Sequence, residues 1–336
     1  MTLTLPPAEA ARELVEPVLR AAVDRLDPHA ARVARYHFGW TDGDGRPRAA
    51  GGKALRPTLA VLSARAAGAG AERCLPAAAA VELVHAFSLL HDDVMDDDPV
   101  RRHRPAAWTV FGRSQAILCG NALLVLAGEL LLEQKTPGYA AAARMLNHAT
   151  LSLMAGQALD LEFQDRDDVT RDECLLMSRH KTAALLACAC SIGVTAVEGS
   201  GSLAGSLFEF GTEAGLAFQL ADDLLGIWGE PEVTGKPVLS DLRTRKKSLP
   251  VVAALTGGTE SGERLAELLA RPGQLAEADL HEAARMVEQA GGRAWAELEA
   301  ERRLDAAARR LDEADLPADV RAEFLQIARF ITARDH

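Results

Sequence analysis

The chain contains few aromatic and β-branched residues, and aromatic residues make up only 4% of its 336 residues. Strands favour these residue types, whereas the abundant alanine, leucine, glutamate and arginine favour helix. No stretch alternates apolar and polar residues over a strand length, and no change in composition marks a linker. We therefore predict an all-α fold, a bundle of about ten or more helices around a deep central cavity. It forms one domain over 1–336, with a core at about 35–335 and an N-terminal helical extension at 1–34.

Positive charge is in deficit, because 37 lysine and arginine residues face 48 acidic residues and the net charge is −11. A nucleic-acid partner requires a basic face, so the charge balance argues against one. Phosphate chemistry in this chain must therefore use local cationic pockets or metal ions.

Cysteine and targeting signals are also sparse. The five cysteines are odd in number and show no C-x-x-C spacing, which predicts buried free thiols in a reducing compartment. The start of the chain lacks the basic residues and long apolar run of a signal peptide. No apolar run reaches the roughly 18 residues that a membrane span needs. We expect a cytoplasmic protein without a membrane span.

Helical spacing of apolar residues fills the segments between clusters of glycine, proline and aspartate, such as "TDGDGRPRAAGG" at 41–52. The pattern predicts helices near 8–26, 56–69, 75–97, 107–133, 138–163, 171–197, 203–228 and 241–255, with three more towards the C-terminus.

The stretch "LLHDDVMDDDPVRRHRP" at 89–105 places five aspartates within seven positions of a predicted helix end. Asp92 and Asp96 lie four residues apart and so share a helix face. Like charges at that spacing, at the negative end of the helix dipole, disfavour the helix unless a cation compensates them. Carboxylate oxygens suit Mg²⁺. A solvated acidic helix end is the alternative for such a motif taken alone.

A second acidic pair lies in "GLAFQLADDLLGIWGEPE", where Asp222 and Asp223 interrupt an apolar helix and Gln219 precedes them by one turn. Two aspartates on an apolar helix need a compensating charge. Two such helices that face each other would hold metal ions between them.

Cationic residues follow or precede both acidic segments. They are Lys53 and Arg56 in "GGKALRP", Arg101 and Arg102 after the first motif, Lys181 with Thr182 in "RHKTAALL", and Lys236, Lys246 and Lys247 after the second. Each alone is typical of a solvated surface charge. Together with Mg²⁺ and apolar helix faces they indicate a diphosphate site for an apolar substrate.

Six ordered motifs resemble those of the trans-isoprenyl diphosphate synthases, or polyprenyl synthetases, over about residues 35–335. They are "GGKALRP", "HDDVMDDDPVRRHRP", "GQALD", "HKT", "FQLADDLLG" and "GKPVLSDLRTRKKSLP". The resemblance implies an all-α, usually homodimeric enzyme in which both acidic motifs line a deep cavity. It also implies the head-to-tail trans condensation of isopentenyl diphosphate with an allylic diphosphate, with release of diphosphate.

The resemblance also implies residue roles. Asp92 and Asp96 would bind two Mg²⁺ ions and Asp222 one more, about three in all, with Mn²⁺ as a substitute. The predicted allylic-side residues, several of them catalytic, are Arg101, Lys181, Thr182, Gln219, Lys236 and Lys246. Those predicted to hold isopentenyl diphosphate are Lys53, Arg56, His85 and Arg102. Gln157 and Asp160 match cavity-lining positions. His85 lies seven residues before Asp92, on the same helix stripe, although a core histidine is the alternative.

Three positions depart from the family pattern. Ala54 stands where arginine is frequent, His103 where glycine is frequent, and Gly226 where the second motif usually has a third carboxylate. Gly226 brings "DDLLGIWGE" close to the metal motif of class I terpene cyclases, which bind a single diphosphate. A cyclase is therefore the alternative enzyme. A catalytically silent partner of an active synthase is the non-enzymatic alternative.

Product length is predicted from the residues just before the first motif, which form the floor of the elongation cavity in this family. Phe87 lies five residues before Asp92, roughly 7 Å along the helix, and Ser88 beside it is small. Bulk at Phe87 resembles the pattern for the C20 product, geranylgeranyl diphosphate. The alternatives are a C15 or longer product, and a Phe87 that only packs in the core.

Overall fold

The computed structural model describes residues 6–48, 54–230 and 238–332, and within them the secondary structure is almost wholly helical. The helices are α1 Pro6–Val23, α2 Pro28–His37, α3 Leu55–Ala66, α4 Leu75–Met95, α5 Ala107–Phe111, α6 Arg113–Leu132, α7 Pro137–Gln164, α8 Arg171–Ser178, α9 Ala184–Ala196, α10 Gly201–Trp228, α11 Ser240–Arg243, α12 Leu249–Leu255, α13 Glu260–Leu269, α14 Glu277–Gln289, α15 Gly292–Asp312 and α16 Ala318–Thr332. A 3₁₀ turn at Ala71–Cys74 precedes α4, and a π-turn at Arg179–Ala183 joins α8 to α9. The all-α prediction is confirmed.

A two-stranded hairpin interrupts the helices. Strands β1, Val100–Arg101, and β2, Arg104–Pro105, pair antiparallel. Arg102 and His103 form the turn with φ of 52° and 58°, as a two-residue primed turn requires. Glycine adopts such φ values most easily, which explains why the family often has glycine at the position of His103.

Several predicted helix boundaries are wrong. The prediction missed α2, although Asp27 caps it by accepting the N–H groups of His29 and Ala30 and Pro28 begins it. The helix predicted at 107–133 breaks at Gly112, whose φ is 90°. The one predicted at 241–255 is two helices, α11 and α12. Four helices rather than three follow α12 within the described residues.

The chain divides into two compact units, and the first comprises residues 1–150, 188–208 and 314–324. Its centre is α4, which packs most extensively against α6. Four consecutive alanines, Ala77–Ala80, are fully buried and let neighbouring backbones approach closely. Leu83 and Leu90 on α4 are also fully buried, each stabilising the fold by about 2 kcal/mol. This packing fixes the helix that bears the first acidic motif.

The second unit comprises residues 151–187, 209–313 and 325–336. One apolar cluster joins α10 to α12, α13 and α14 through Ile227, Val251, Leu265, Leu280 and Val287. Another joins α7, α8 and α10 through Phe163, Met177, Leu220 and Leu224. The apolar flanks of the second acidic pair are therefore buried. The prediction of one domain over residues 1–336 stays a prediction.

Two helical segments are long and apolar enough to cross a membrane by length and composition. They are Ala71–Met95, with mean hydropathy 1.4, and Arg113–Leu132, with mean hydropathy 1.8. Of their apolar windows, 67% and 44% respectively is buried inside the protein. A core helix of a soluble protein meets the same measure, so the finding is weak support for a membrane span.

Candidate active site

The first acidic motif lies where α4 ends. Helix α4 stops at Met95, and Asp96 caps it by donating its backbone N–H to Asp92 O at 2.8 Å. Asp92 is half-buried and Asp96 is exposed, while Asp97 turns the chain away with a φ of 53°. The two predicted metal ligands are therefore one helical turn apart at the open end of α4.

Asp93, between them, has a different environment. Its side chain is 1% exposed, and its Oδ1 accepts a hydrogen bond from Arg101 Nε at 2.6 Å. The β1–β2 hairpin thus anchors to α4 through a buried ion pair. This contact also places the predicted allylic-side residue Arg101 beside the first motif.

Arg56 and His85, both predicted to hold isopentenyl diphosphate, lie together in the first unit. Arg56 Nη1 and His85 Nε2 are 3.1 Å apart, and Arg56 Nε is buried without a hydrogen-bond partner among the described residues. Burial lowers the pKa of Arg56 to about 10, with Glu82 opposing and Arg102 adding to the effect. Arg56 therefore keeps its charge at neutral pH and has a donor left for an anion.

Burial and the neighbouring arginines determine the protonation state of His85. Burial, and then the charges of Arg56 and Arg102, hold its pKa well below the usual range. The imidazole is neutral at neutral pH, so it accepts from the Arg56 guanidinium. Arrival of a diphosphate anion would offset those charges and favour protonation of His85.

Two neighbouring residues were missed by sequence reasoning. Glu82 lies one turn before His85, and burial raises its pKa while Arg56 and Arg102 lower it. His37, at the end of α2, lines a pocket of about 210 Å³ together with Arg101 and Arg102. The three-residue spacing of Glu82 and His85 was a readable signal, whereas His37 lies on a helix that was not predicted.

The "HKT" motif lies in the π-turn of the second unit. Lys181 Nζ is 2.5 Å from Asp160 Oδ2, and Thr182 Oγ1 donates to Gln219 Oε1 at 2.5 Å. Single π-turns inside helices occur frequently at functional sites. The turn thus brings Lys181 to Asp160 on α7, a predicted cavity-lining residue, and Thr182 to Gln219 on α10, which was predicted for the same substrate.

Two glycines make room for this turn. A Cβ at Gly156 would lie 2.2 Å from Lys181 N, and a Cβ at Gly215 would lie 2.6 Å from Ala183 Cα. Any larger residue would displace the backbone that bears Lys181 and Thr182. Gly156 belongs to the "GQALD" motif, and this close approach gives its glycine a physical reason.

Asp222 and Asp223 differ in solvent exposure, as Asp92 and Asp93 do. Asp222 is exposed, whereas Asp223 is 2% exposed. Asp223 accepts from Gln219 Nε2 at 2.8 Å and from the Leu249 backbone at 2.9 Å, and Lys246 Nζ lies 3.6 Å from Oδ1. Burial raises the pKa of Asp223 to about 6, although Lys246 lowers it. Asp223 thus holds Gln219 and the start of α12 in place, and Asp222 is the more exposed of the two carboxylates.

Phe87 and Ser88 are held tightly in the first unit. Phe87 is 5% exposed and packs edge-on to His91 with ring centroids 4.7 Å apart. His91 Nε2 is 3.1 Å from Ile117 O, and its ring fills the space where a Cβ at Gly120 would lie. Ser88 donates to His85 O at 2.9 Å. The Phe87 ring therefore packs against His91, which is itself held by α6.

The donor set fits Mg²⁺. Asp92, Asp96 and Asp222 supply hard carboxylate oxygens on accessible helix ends or faces. No three His, Cys, Asp or Glu side chains of the described residues form a group able to enclose an ion unaided. Mg²⁺ usually binds one or two carboxylates and completes its shell with waters and substrate phosphates, which matches the accessible carboxylates that each unit presents by itself. Lys53 and Lys236 lie outside the described residues.

Comparison with known proteins agrees with these motifs. The sequence model of the family described as polyprenyl synthetase matches residues 47–287. A (2E,6E)-farnesyl diphosphate synthase of Mycobacterium tuberculosis H37Rv is 46% identical over 335 residues, covering 98% of this chain and 93% of that one. The geranylgeranyl diphosphate synthase of the same strain is 41% identical over 331 residues, with coverages of 97% and 93%.

A solved structure is similar over the same extent. The crystal structure of a polyprenyl synthetase from Streptomyces coelicolor A3(2) matches with a TM-score of 0.93 at 50% identity, covering 97% of this chain and 99% of that one. The chain thus belongs to the polyprenyl synthetase family of trans-isoprenyl diphosphate synthases, and it is a prenyltransferase that elongates prenyl chains.

Proposed function

We propose that the protein is a cytoplasmic, Mg²⁺-dependent synthase that condenses isopentenyl diphosphate with an allylic diphosphate head to tail in trans geometry. One observation carries this proposal. Each compact unit has its own cationic group, Arg56 and Arg102 around His85 in the first, and Lys181 and Lys246 beside carboxylates in the second. An enzyme with two diphosphate substrates needs two such groups, whereas a cyclase with one substrate does not.

Each residue has a role in this proposal. Mg²⁺, when bound by Asp92, Asp96 and Asp222, supplies positive charge against the departing diphosphate. The allylic diphosphate is held by Arg101, Lys181, Thr182, Gln219, Lys236 and Lys246, and isopentenyl diphosphate by Lys53, Arg56, His85 and Arg102.

The protein's own groups promote the reaction in three ways. Fixed cations stabilise the charge that develops on the leaving oxygen. Apolar helix faces exclude water, which would otherwise quench the allylic cation. Positioning of the isopentenyl double bond beside that cation makes its capture effectively intramolecular. The released proton passes to the departing diphosphate.

A product assay tests this function. Purified protein with Mg²⁺ and isopentenyl diphosphate receives dimethylallyl, geranyl or farnesyl diphosphate in separate reactions. We expect elongated prenyl diphosphates, with one diphosphate released for each isopentenyl unit added, formed only when both substrates are present. A cyclised hydrocarbon from a single substrate would instead identify a class I terpene cyclase. Binding of both substrates without turnover would identify a silent partner subunit.

The product is proposed to be geranylgeranyl diphosphate. The relatives include proteins named as farnesyl and as geranylgeranyl diphosphate synthases, so the family alone leaves both lengths open. The bulk of Phe87, which packs on His91 and is 5% exposed, supports a floor that stops the chain at C20.

We expect Phe87→Ala to lengthen the main product beyond that of the wild type, because removal of the ring opens space at the floor of the cavity. Chromatography of the dephosphorylated alcohols measures the length. Phe163→Ala removes an equally large buried ring from the second unit and should leave product length unchanged. An unaltered product from Phe87→Ala, with activity retained, would assign the limit to another residue.

A homodimer is proposed as well. Leu118, Val125 and Leu132 recur every seven residues along α6 and are 59%, 65% and 61% exposed. A stripe of large apolar side chains on one helix face is typical of an association surface, and a second copy of the chain is the expected occupant. Sedimentation equilibrium should give twice the chain mass of 35.8 kDa.

A further inference from the structure

The second acidic motif lacks its third carboxylate in sequence, yet a carboxylate lies at that place in the structure. A Cβ at Gly226 would lie 2.4 Å from Asp241 Oδ2 and 2.6 Å from its Oδ1. The Asp241 side chain therefore occupies the space that any side chain at position 226 would need. It reaches α10 from α11, fifteen residues later in the chain.

The local fold holds Asp241 in this place. Leu239 begins α11 in the left-handed region with a φ of 61°. Ser240 Oγ donates to Gly226 O at 3.2 Å and contacts Asp241 Oδ1 at 3.3 Å. The Asp241 side chain is also buried, with 9% of the residue exposed. Backbone and side-chain contacts thus direct the carboxylate to Gly226 rather than to solvent.

Lys246 connects this carboxylate to the proposed allylic side of the site. Its backbone N–H donates to Asp241 O at 2.8 Å, and its Nζ lies 3.6 Å from Asp223 Oδ1. Burial lowers the pKa of Lys246, but the charges of Asp241 and then Asp223 raise it by more, so the pKa lies well above its usual range. Asp241 makes the largest of the charge contributions that raise this pKa, and its backbone oxygen also holds the Lys246 backbone.

We propose that Asp241 replaces the missing third carboxylate of the second acidic motif and positions Lys246 for the allylic diphosphate. This inference rests on the proposed function, in which Asp222 binds Mg²⁺ and Lys246 contacts that diphosphate. Asp241 is a positioning residue, since it acts through Lys246 and through the negative charge that it adds beside Asp222 and Asp223. Glycine at position 226 is then required by the carboxylate from α11.

The test moves the carboxylate between the two positions. Asp241→Asn removes the charge, Gly226→Asp adds a second carboxylate in occupied space, and Gly226→Asp with Asp241→Gly returns one carboxylate from α10. Isothermal titration with Mg²⁺ and inorganic pyrophosphate measures binding independently of turnover, and the KM values for both substrates are measured separately. Gly205→Ala is the control, because a Cβ at Gly205 in the same helix meets nothing within 4 Å.

We expect Asp241→Asn to weaken Mg²⁺-pyrophosphate binding by about tenfold, the lower end for loss of a residue that orients a ligand-binding group. The KM for the allylic substrate should rise with it, while that for isopentenyl diphosphate stays constant. Gly226→Asp should lower the melting temperature through steric overlap and repulsion. The double variant should regain most of both the binding and the melting temperature.

Two results would overturn the inference. One is Mg²⁺-pyrophosphate binding by a folded Asp241→Asn variant equal to that of the wild type. The other is a double variant that melts like the wild type but binds no better than Asp241→Asn. If Gly226→Asp does not fold, Gly226→Ala tests the steric overlap with Asp241 instead. We expect Gly226→Ala to lower the melting temperature, and the added Asp241→Gly substitution to restore it. Failure of the wild type to condense any substrate pair would contradict the proposed function and leave these binding results interpretable.

Discussion

Alanine at Asp92 or at Asp222 is expected to lower kcat by about a thousandfold or more, because in the proposed function each carboxylate would hold Mg²⁺, whose charge is needed most in the transition state. Steady-state assays with both substrates saturating and Mg²⁺ in excess measure this effect. The fold should persist, since Asp92 is half-buried and Asp222 is exposed. Thermal unfolding by circular dichroism checks that assumption for each variant.

Asp97→Ala is the matched control for this prediction. Asp97 belongs to the same acidic stretch, is exposed, and pairs with Arg113, a surface contact worth little to stability. The variant should retain nearly normal kcat. Near-normal activity in Asp92→Ala or Asp222→Ala would refute the metal assignment, whereas an equal loss in Asp97→Ala would point to the net charge of the stretch.

Alanine at Arg102 is expected to raise the KM for isopentenyl diphosphate by about a hundredfold, while the KM for the allylic substrate stays near its normal value. Arg102 is exposed in the structure, and loss of its charge-assisted hydrogen bond to phosphate would cost about 1.5–3 kcal/mol. The positive φ values of Arg102 and His103 hold the turn that presents this guanidinium. Initial rates, with one substrate varied and the other saturating, separate the two KM values.

The neighbouring Arg101 provides a contrast. Arg101→Met should raise the allylic KM instead, and should destabilise the protein by about 3 kcal/mol because the buried carboxylate of Asp93 loses its ion pair. Arg102→Lys keeps a charge but not the fork of donors, so it should fall between the wild type and Arg102→Ala. Equal effects of Arg101 and Arg102 variants on both KM values would contradict the assignment of the two arginines to different substrates.

Local pattern alone determined the all-α class and the positions of both acidic motifs. Helical periodicity and the spacing of Asp92, Asp96 and His85 are local properties, so they are readable without tertiary structure. The same local rules placed α4, α7 and α10 to within a few residues.

Tertiary structure decided which of two adjacent aspartates is more exposed to solvent. Sequence spacing treats Asp222 and Asp223 as near equivalents, and it separates Asp92 from Asp93 only by the four-residue spacing of Asp92 and Asp96. Successive residues on a helix point about 100° apart, so packing alone buries Asp93 and Asp223 and leaves Asp92 half-buried and Asp222 exposed. Contacts between distant segments likewise place Glu82 near Arg56 and Arg102, and His37 in a pocket with Arg101 and Arg102. They also bring Gly156 against the backbone of Lys181.

Gly226 is interpreted differently from the sequence and from the tertiary structure. As a letter in "DDLLG" it is a missing carboxylate. In the fold it is the space for Asp241, because α11 returns to α10 and delivers a carboxylate from a later part of the chain. The sequence by itself determined the helices, the motifs and the family chemistry. Only the tertiary structure decided which side chains meet there, since burial and close approach arise between segments that are distant in the chain.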